Sequence, residues 1–371
     1  MPTTFRIGVI GHTKRGDYGH GIDTVWKEIP NATIVAVADA DANGLAAAAK
    51  RLEVEQAFRD YRAMLDQVKP DIVSVCPRWL DQHRDMVVAA TERGIHVYME
   101  KPLCRTLREA DEMIAACEQT HARVAVAHQT HYSPRVQMVK QLIADGKIGR
   151  VLEYRGRGKE DSRGGGEDLW VLGSHIMDLI RMFGGQPQWC FASVMQNGKP
   201  VTAADVKDGP EGIGPLTGDA VQSMYRMPDG STAYFGSHRN ATGRISRFGL
   251  QILGSAGVLE IVTGFLPSVQ YLDDPSWSPG RSKGQWRPVT SAGIDQPEPL
   301  ADGGLEAGNV AAVKDLIAAI EENRQPKCSI YEARGAIEMI VACFESQRVG
   351  GPVELPLANR ENPLTQLGRS E

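Results

Sequence analysis

The chain lacks the features that place a protein in a membrane, in the disulfide-rich secreted class or on nucleic acid. Its six cysteines show no C-x-x-C pair and no regular spacing, which predicts buried thiols in a reducing compartment. No apolar run approaches the roughly eighteen residues of a membrane span, and residues 1–10 carry no secretory leader pattern. A formal net charge of -5 without a basic block argues against nucleic acid or an anionic membrane as partner. We therefore expect a cytoplasmic protein.

The chain is long enough for two domains, because 371 residues with 42% hydrophobic content supply ordinary cores. Strand and helix patterns alternate up to about residue 127, which is typical of an α/β fold with a doubly wound parallel sheet. We predict that residues 1–127 form the domain with this parallel sheet, which is the architecture of dinucleotide-binding domains. Residues 128–371 are then predicted to form the substrate-binding and oligomerisation domain.

The second half of the chain has strand-like segments that follow one another without alternating helices. These segments are Arg150–Arg157, Trp189–Gln196, Ala220–Arg226, Thr232–Ser237, Gly249–Leu253 and Val258–Ile261. They predict an α+β domain with an open, mostly antiparallel sheet and flanking helices. The Pro/Gly-rich stretches 199–216 and 267–304 are predicted to be loops. The free face of this sheet is expected to join subunits into a homodimer or homotetramer.

The first strand pattern runs into a glycine-rich loop. Gly11 ends the strand, and Gly16, Gly19 and His20 follow before a helix-like pattern over residues 22–29. Glycines let the backbone approach a pyrophosphate, and the N-terminus of a following helix offers unpaired N–H groups. The spacing is not G-x-G-x-x-G, since four residues separate Gly11 from Gly16. We predict a dinucleotide site with a lengthened loop.

The second strand pattern, residues 33–38, ends in Asp39, twenty residues beyond Gly19. A carboxylate at this place accepts hydrogen bonds from the adenosine ribose hydroxyls and repels a 2′-phosphate. No arginine follows, since the next residues are Ala40 and Asp41. The pattern therefore predicts NAD, with NADP disfavoured. The alternative is that Asp39 only starts a turn or caps the helix that follows.

Two further segments carry residues suited to proton transfer. Glu100 and Lys101 stand at the end of the strand over residues 95–99, and a later helix carries His175 and Asp178. A lysine held where a strand stops can polarise a hydroxyl or carbonyl oxygen, and a histidine can take the proton near neutral pH. We predict that Lys101 and His175 are catalytic in a redox reaction. The alternatives are a lysine paired with Glu100 and a helix histidine bound to Asp178.

Ligands of doubly wound sheets lie beyond the carboxyl ends of the strands. We therefore expect the cofactor-binding residues to gather at one edge, and they are Gly11, Gly16, Gly19, His20, Asp39, Pro77, Glu100 and Lys101. Arg78, Trp79 and His83 follow the strand end at Pro77 and either line this site or serve the core and surface. No metal site is predicted, because the histidines show no H-x-x-x-H spacing.

Several ordered motifs resemble one known family. The stretch 97–103 is similar to the Glu-Lys-Pro signature of the Gfo/Idh/MocA family (glucose-fructose oxidoreductase, inositol dehydrogenase, rhizopine catabolism), and residues 133–151 are similar to its domain junction. The helix with Gly173, His175 and Asp178 looks like its catalytic segment. The resemblance covers nearly the whole chain. It implies an NAD(P)-dependent dehydrogenase of sugars, polyols or related compounds, with a Rossmann domain and an open-sheet domain.

The chain also departs from that family. An Asp that often precedes the catalytic histidine by four residues is replaced by Val171. The charged segment upstream of the helix is expected to compensate, with Glu160 or Asp161 orienting the substrate or His175; the alternative is a solvated loop. The residues expected to bind sugar hydroxyls are Gln129, Glu160, Asp161, Arg163 and Asp178.

The activity that these features predict is hydride transfer from a secondary alcohol carbon of a sugar, glycoside or polyol to NAD. Oxidation at C3 of a glycoside is the favoured case, on family analogy alone. One alternative is a redox-neutral glycosidase or epimerase-like enzyme that retains NAD. The other is a non-catalytic NAD-binding regulatory protein, for which Val171 is the only indication.

Overall fold

A computed structural model describes residues 4–241 and 246–368. The chain divides into two compact units. The first unit contains the chain up to Gln129 together with residues 210–214 and 305–334, and the second contains residues 130–209, 215–304 and the chain from Gly335 onward. The compact units thus differ from the division at residue 127, because residues 128–129, 210–214 and 305–334 belong to the first unit. As domain boundaries, residues 1–127 and 128–371 stay a prediction.

The first unit is built on a parallel sheet. Its strands in the described residues are β1 (Phe5–Ile10), β2 (Ala32–Ala38), β3 (Gln56–Phe58), β4 (Ile72–Val75), β5 (His96–Met99) and β6 (Val124–Val126). They pair in the order β3-β2-β1-β4-β5-β6, and each pairing is parallel. The order reverses between β1 and β4, and such switch points are where doubly wound sheets bind ligands. The predicted Rossmann sheet is confirmed.

Helices connect and cover the strands. Those in the described residues are α1 (Ala42–Leu52), α2 (Tyr61–Val68), α3 (His83–Thr91), α4 (Leu107–Thr120), α5 (Pro134–Ala144), α6 (Gly166–Val171), α7 (Gly173–Gly184), α8 (Pro279–Ser282), α9 (Gly304–Glu321) and α10 (Ile330–Val349). Polar side chains start several of them. Asp41 accepts hydrogen bonds from the first-turn N–H groups of α1, and Thr106 does the same for α4. Such caps satisfy N–H groups that have no partner inside the helix.

The crossover from β1 to β2 contains no α-helix, so the helix predicted over residues 22–29 is wrong. The chain runs through turns with positive φ at Gly16, Gly19 and Gly21, and only a 3-10 helix, Val25–Glu28, follows. Backbone in that region cannot continue a right-handed helix. The apolar pattern that suggested a helix instead fills the core, where Trp26 is buried and its Nε1 donates to Ser74 Oγ at 2.6 Å.

The second unit is built on a large sheet that is mostly antiparallel. The remaining strands of the described chain are β7 (Val151–Arg157), β8 (Trp189–Gln196), β9 (Lys199–Pro200), β10 (Lys207–Gly209), β11 (Gly214–Leu216), β12 (Ala220–Arg226), β13 (Thr232–His238), β14 (Gly249–Gly254), β15 (Val258–Val262), β16 (Val269–Leu272), β17 (Trp286–Thr290), β18 (Gly293–Ile294) and β19 (Val353–Glu354). Among the described strands, those of the large sheet pair in the order β18-β17-β16-β15-β14-β7-β13-β12-β8-β19, with β9 on β8, and β10 pairs with β11 in a separate two-stranded sheet. Among these pairs β13 and β7 are parallel. The predicted open antiparallel sheet is confirmed.

The stretches 199–216 and 267–304 are not plain loops, so that prediction is wrong. β16, β17 and β18 lie in the second stretch and extend the sheet beyond β15. Val269 and Leu272 on β16 are buried at 1% and 0% exposure. Pairing with an existing edge satisfies the backbone and buries these side chains, which outweighs the low strand propensity of the surrounding Gly and Pro residues.

One face of this sheet carries α7. A Cβ on Gly156 of β7 would lie 2.4 Å from Ile176 Cγ2, so glycine there permits close contact between strand and helix. Phe191 and Tyr234 are exposed at 44% and 37%, and both stand opposite Met224 in the register of neighbouring strands. The cysteines are all buried and none forms a disulfide, as predicted. Within residues 4–241 and 246–368, no helix has the length and apolarity needed to cross a membrane.

Candidate active site and cofactor cleft

A cleft of about 210 Å³ opens at the carboxyl ends of β1 and β2, where the sheet topology predicts a ligand. Its lining residues are Ile10, Gly11, His12, Ala38, Asp39, Ala40, Arg59, Asp60, Tyr61, Gln82 and Met86. His12 and Gln82 close one side, with Nδ1 and Oε1 2.5 Å apart. Arg59 is fixed on another side, where its Nε donates to the Ala40 carbonyl at 2.8 Å. The cleft lies entirely within the first unit.

The glycine loop packs directly on the neighbouring strand ends. A Cβ on Gly16 would lie 2.4 Å from Arg78 N, and one on Gly19 would lie 2.6 Å from Cys76 O. Both glycines have positive φ, so side chains are excluded by strain as well as by space. Since no α-helix follows, a phosphate here would depend on loop N–H groups instead of a helix dipole.

Asp39 lies at the end of β2 as expected, but its carboxylate is engaged by the loop. Its exposure is 2%. Oδ2 accepts hydrogen bonds from Thr13 Oγ1 at 2.7 Å and from Tyr18 OH at 2.9 Å, and Oδ1 accepts from Asp41 N at 2.9 Å. The side-chain cap of α1 is Asp41 and not Asp39. Asp39 therefore ties the loop to the sheet at the mouth of the cleft.

Glu100 and Lys101 occupy the end of β5, and Glu100 is completely buried. Glu100 Oε1 accepts hydrogen bonds from His20 N at 2.9 Å and His20 Nδ1 at 2.6 Å, and Oε2 accepts from Lys101 N at 3.0 Å. Burial alone would raise the pKa of Glu100, but the His20 hydrogen bonds and the nearby Lys101 charge lower it below the ordinary value. An ionised carboxylate therefore stands beside Lys101.

Asn309 on α9 was missed by sequence reasoning. It is fully buried, and its Oδ1 accepts from Tyr98 OH at 2.7 Å and from Gln129 Nε2 at 3.0 Å. Its Nδ2 donates to the His20 carbonyl at 2.9 Å. One amide thus connects the glycine loop, β5 and the predicted substrate residue Gln129. No local pattern marks Asn309, because its partners lie far away in the sequence.

His83 was expected either to line the cofactor site or to serve the core and surface. The structure places it in the core, fully buried between two loop segments. Its Nε2 lies 2.7 Å from the Pro77 carbonyl, and its Nδ1 lies 2.9 Å from the Pro102 carbonyl. The imidazole therefore connects the segment after β4 with the segment after Lys101. Pro77 contributes a backbone carbonyl to this bridge.

In the second unit, His175 lies in the first turn of α7. Its ring meets Phe248 edge to face, with centroids 6.4 Å apart. Asp178, one turn on, pairs with His131, with Oδ2 and Nδ1 3.1 Å apart, and both residues are buried. Asp178 therefore orients His131.

The charged segment before α6 forms its own network. Glu160 is fully buried and pairs with Arg157 Nη2 at 2.5 Å and Arg247 Nη2 at 2.6 Å. Asp161 pairs with Arg163, and this hydrogen bond lowers the pKa of Asp161 to about 2. Glu160 is thus committed to two arginines. Its predicted role in orienting the substrate or His175 stays a prediction.

The structure brings the predicted cofactor residues of the first unit together at one edge of the sheet. A dinucleotide fits this edge in three respects: glycines admit a close backbone approach, a carboxylate ends β2, and the cleft lies beside both. Two features oppose the fit: Thr13 and Tyr18 engage Asp39, and no α-helix follows the glycine loop. The residues predicted for the sugar fall into separate groups, around Asn309, around Glu160 and around His131.

A parallel sheet with a glycine loop after β1, a carboxylate at the end of β2 and a lysine at the end of β5 is the arrangement of an oxidoreductase with a dinucleotide-binding domain. Residues 5–128 match the family model described as an oxidoreductase family with an NAD-binding Rossmann fold, and residues 136–260 match the model of the GFO/IDH/MocA C-terminal domain. The chain belongs to the Gfo/Idh/MocA family of oxidoreductases.

Curated relatives include two dehydrogenases and a hydratase. A D-apiose dehydrogenase of Paraburkholderia graminis is 26% identical over 91% of this chain and 87% of its own length. A levoglucosan dehydrogenase of Pseudarthrobacter phenanthrenivorans is 28% identical over 60% of this chain, and the match spans 63% of that relative. A 2,7-anhydro-N-acetylneuraminate hydratase of Mediterraneibacter gnavus is 31% identical over 37% of this chain and 36% of its own length.

The solved structure of a levoglucosan dehydrogenase in complex with NADH and levoglucosan is similar across 95% of this chain and 100% of its own. The TM-score is 0.76 at 22% identity. At this identity the likeness shows the shared fold.

Proposed function

We propose that the protein is an NAD-dependent dehydrogenase that oxidises a secondary hydroxyl of a sugar, glycoside or polyol. The observation that carries the proposal is the placement of Lys101 beside the buried, ionised Glu100, on the same sheet edge as the glycine loop. Burial and the anchored neighbour fix the lysine backbone. An ammonium held in this way can act on a substrate oxygen.

In the proposed reaction the alcohol loses a hydride from its carbon and a proton from its oxygen, and a carbonyl forms. The bound nicotinamide would supply the hydride acceptor. His175 takes the hydroxyl proton, and Lys101 donates a hydrogen bond to the same oxygen. The positive charge of Lys101 stabilises the negative charge that develops on that oxygen as the proton leaves.

The proposed cofactor preference rests on Asp39. Its carboxylate would accept from the adenosine ribose hydroxyls, and it would repel the 2′-phosphate of NADP. Arg59 also lines the cleft, but its Nε is bound to the Ala40 carbonyl.

The proposed substrate class follows from the relatives, whose names specify levoglucosan and D-apiose. Oxidation at C3 of a glycoside is the favoured position. Gln129 is the best supported of the proposed hydroxyl contacts, because Asn309 holds its Nε2 and thereby sets the direction of its Oε1. Glu160, Asp161, Arg163 and Asp178 are proposed as further contacts.

A second candidate is a redox-neutral reaction in which retained NAD oxidises the sugar, elimination or hydration follows, and the hydride returns. It is favoured by the hydratase among the relatives.

The decisive experiment incubates the protein with NAD and a panel of sugars, anhydrosugars, glycosides and polyols. Nicotinamide absorbance and sugar products are followed together. NADH formed in proportion to an oxidised sugar supports the dehydrogenase. A sugar product without net NADH supports the redox-neutral candidate, and neither signal across the panel contradicts both. Lys101→Met is the matched inactive control.

We further propose that the open face of the second sheet joins subunits into a homodimer or homotetramer. Phe191 on β8 and Tyr234 on β13 are exposed, and they lie on either side of Met224 on β12. Light scattering of the parent and of a Phe191→Asp, Tyr234→Asp variant tests this. A monomeric parent would contradict it.

A further inference from the structure

We propose that Tyr18 gates the cofactor site: its side chain holds the place of a ribose hydroxyl on Asp39 and leaves when NAD binds. This inference rests on the proposed NAD binding and adds a residue to which the sequence interpretation gave no role.

Tyr18 lies across the two features that a dinucleotide needs most. Its hydroxyl donates to Asp39 Oδ2 at 2.9 Å. Its ring lies against Gly11, where a Cβ would be only 2.2 Å from Tyr18 Cε1. The Arg51 guanidinium covers the ring, with Cζ 4.6 Å from the ring centroid, and Arg51 is itself paired with Asp23 at 2.7 Å. Tyr18 therefore occupies both the glycine approach and the ribose carboxylate.

Asp39 has little capacity for additional donors in this arrangement. An ionised carboxylate offers about four acceptor positions. Four donors already contact it, namely Thr13 N, Thr13 Oγ1, Tyr18 OH and Asp41 N. A ribose would bring further hydroxyl donors to the same two oxygens. At least one present donor has to leave for the ribose to bind.

Tyr18 is the donor best able to leave. Asp41 N is tied to Asp39 by the intervening backbone, and Thr13 contributes two donors from one residue. Tyr18 instead reaches Asp39 from a segment without an α-helix, between Gly16 and Gly19, both with positive φ. Burial and the adjacent Asp39 charge raise the pKa of Tyr18, so its hydroxyl stays protonated and remains a donor.

A purely structural role predicts something different. The ring also packs between Gly11 and the Arg51 guanidinium, so the alternative is that Tyr18 only supports the loop. Phenylalanine separates the two roles because it keeps the ring on Gly11 and removes only the hydroxyl. If Tyr18 is a gate, losing its bond to Asp39 raises the binding-competent fraction and so lowers the apparent Kd.

The test is NADH binding to the parent, Tyr18→Phe and Tyr18→Ala, measured by calorimetry and by stopped-flow fluorescence. We expect Tyr18→Phe to bind NADH about tenfold more tightly, the effect of removing one competing bond to a charged group. The parent association rate should level off at high NADH, where opening becomes limiting, and the Tyr18→Ala rate should rise linearly.

The matched control is Tyr331→Phe, which removes another tyrosine hydroxyl bond to a carboxylate, with Tyr331 OH and Glu118 Oε1 3.1 Å apart. It should leave NADH binding unchanged. Equal or weaker NADH binding by Tyr18→Phe, with folding confirmed by thermal melting, would overturn the gate and leave the proposed function standing. Failure of parent and variants to bind NADH would overturn both.

Discussion

His20 Nδ1 lies 2.6 Å from Glu100 Oε1, and this contact joins the glycine loop to the strand end that carries Lys101. His20 is partly exposed, with 37% side-chain exposure, while Glu100 has none. A buried carboxylate is stable only when charges and donors surround it. His20 supplies hydrogen-bond donors and Lys101 supplies a positive charge and a backbone N–H. The stability of the Glu100 carboxylate therefore depends on both the glycine loop and Lys101.

Removing the charge of Glu100 should therefore disturb both stability and turnover. We expect Glu100→Gln to lower the free energy of unfolding by about 1–3 kcal/mol and kcat/KM at least about tenfold, because Lys101 loses its counter-ion and His20 loses a charged hydrogen-bond acceptor. Urea unfolding and steady-state kinetics measure the two effects. Parental values for both would contradict the role of Glu100.

The same substitution has a predictable pH dependence. The folded pKa of Glu100 lies below the ordinary value for a glutamate, because burial, which raises it, is outweighed by the His20 hydrogen bonds and the Lys101 charge. Its contribution to stability is then present above the unfolded pKa and is lost as pH falls through the folded pKa. The difference in unfolding free energy between parent and Glu100→Gln should shrink in acid. A difference that stays constant from neutral to acid pH would show that the charge is not responsible.

Lys101→Met and His175→Ala should each lower turnover by roughly a hundredfold or more and leave NAD affinity near normal, because a positioned proton-transfer or charge-stabilising group contributes on that order. Lys140→Met, on the exposed side of α5, is the matched control. Turnover within a few fold of the parent would remove the residue concerned from the mechanism.

NAD should bind more tightly than NADP, because Asp39 would face the 2′-phosphate. Calorimetric titration of both cofactors measures this preference, and equal affinities would exclude Asp39 as its cause. Asp39→Ala combined with a nearby added arginine should move the preference toward NADP.

Asn309→Ala should lower the free energy of unfolding by about 1–3 kcal/mol, since it removes the partner of the buried Tyr98 hydroxyl and Gln129 amide as well as that of the His20 carbonyl. It should also raise KM for the sugar if Gln129 binds substrate. Asn43→Ala, on the exposed start of α1, is the matched control. An unchanged urea midpoint would contradict the role of Asn309.

Asp161→Asn tests the charged segment. Because the Arg163 hydrogen bond lowers the pKa of Asp161 to about 2, Asp161 stays ionised throughout a normal assay range and should not shape the pH profile of turnover. We expect an unchanged profile and a higher KM for the sugar. If Asp161→Asn and Glu160→Gln both leave pH profile and KM unchanged, the segment is only a loop.

Much of the fold could be predicted because its signals are local. Apolar runs that end in Gly11, Asp39 and Glu100 mark parallel strands, and parallel strands bring their carboxyl ends to one edge whatever the rest of the chain does. The predicted cofactor residues of the first unit accordingly lie together. The antiparallel sheet was recognisable from its strand patterns and turns in the same way.

The tertiary structure decided what depends on distant partners. Asn309 acts on His20 across 289 residues of sequence, and no local pattern encodes such a contact. β16 forms because β15 offers an edge, although its surroundings have loop composition. The turns that replace the first crossover helix place Tyr18 on Asp39. Hydrogen-bond partners are determined by which groups reach each other once the chain is packed, and sequence spacing does not contain that information.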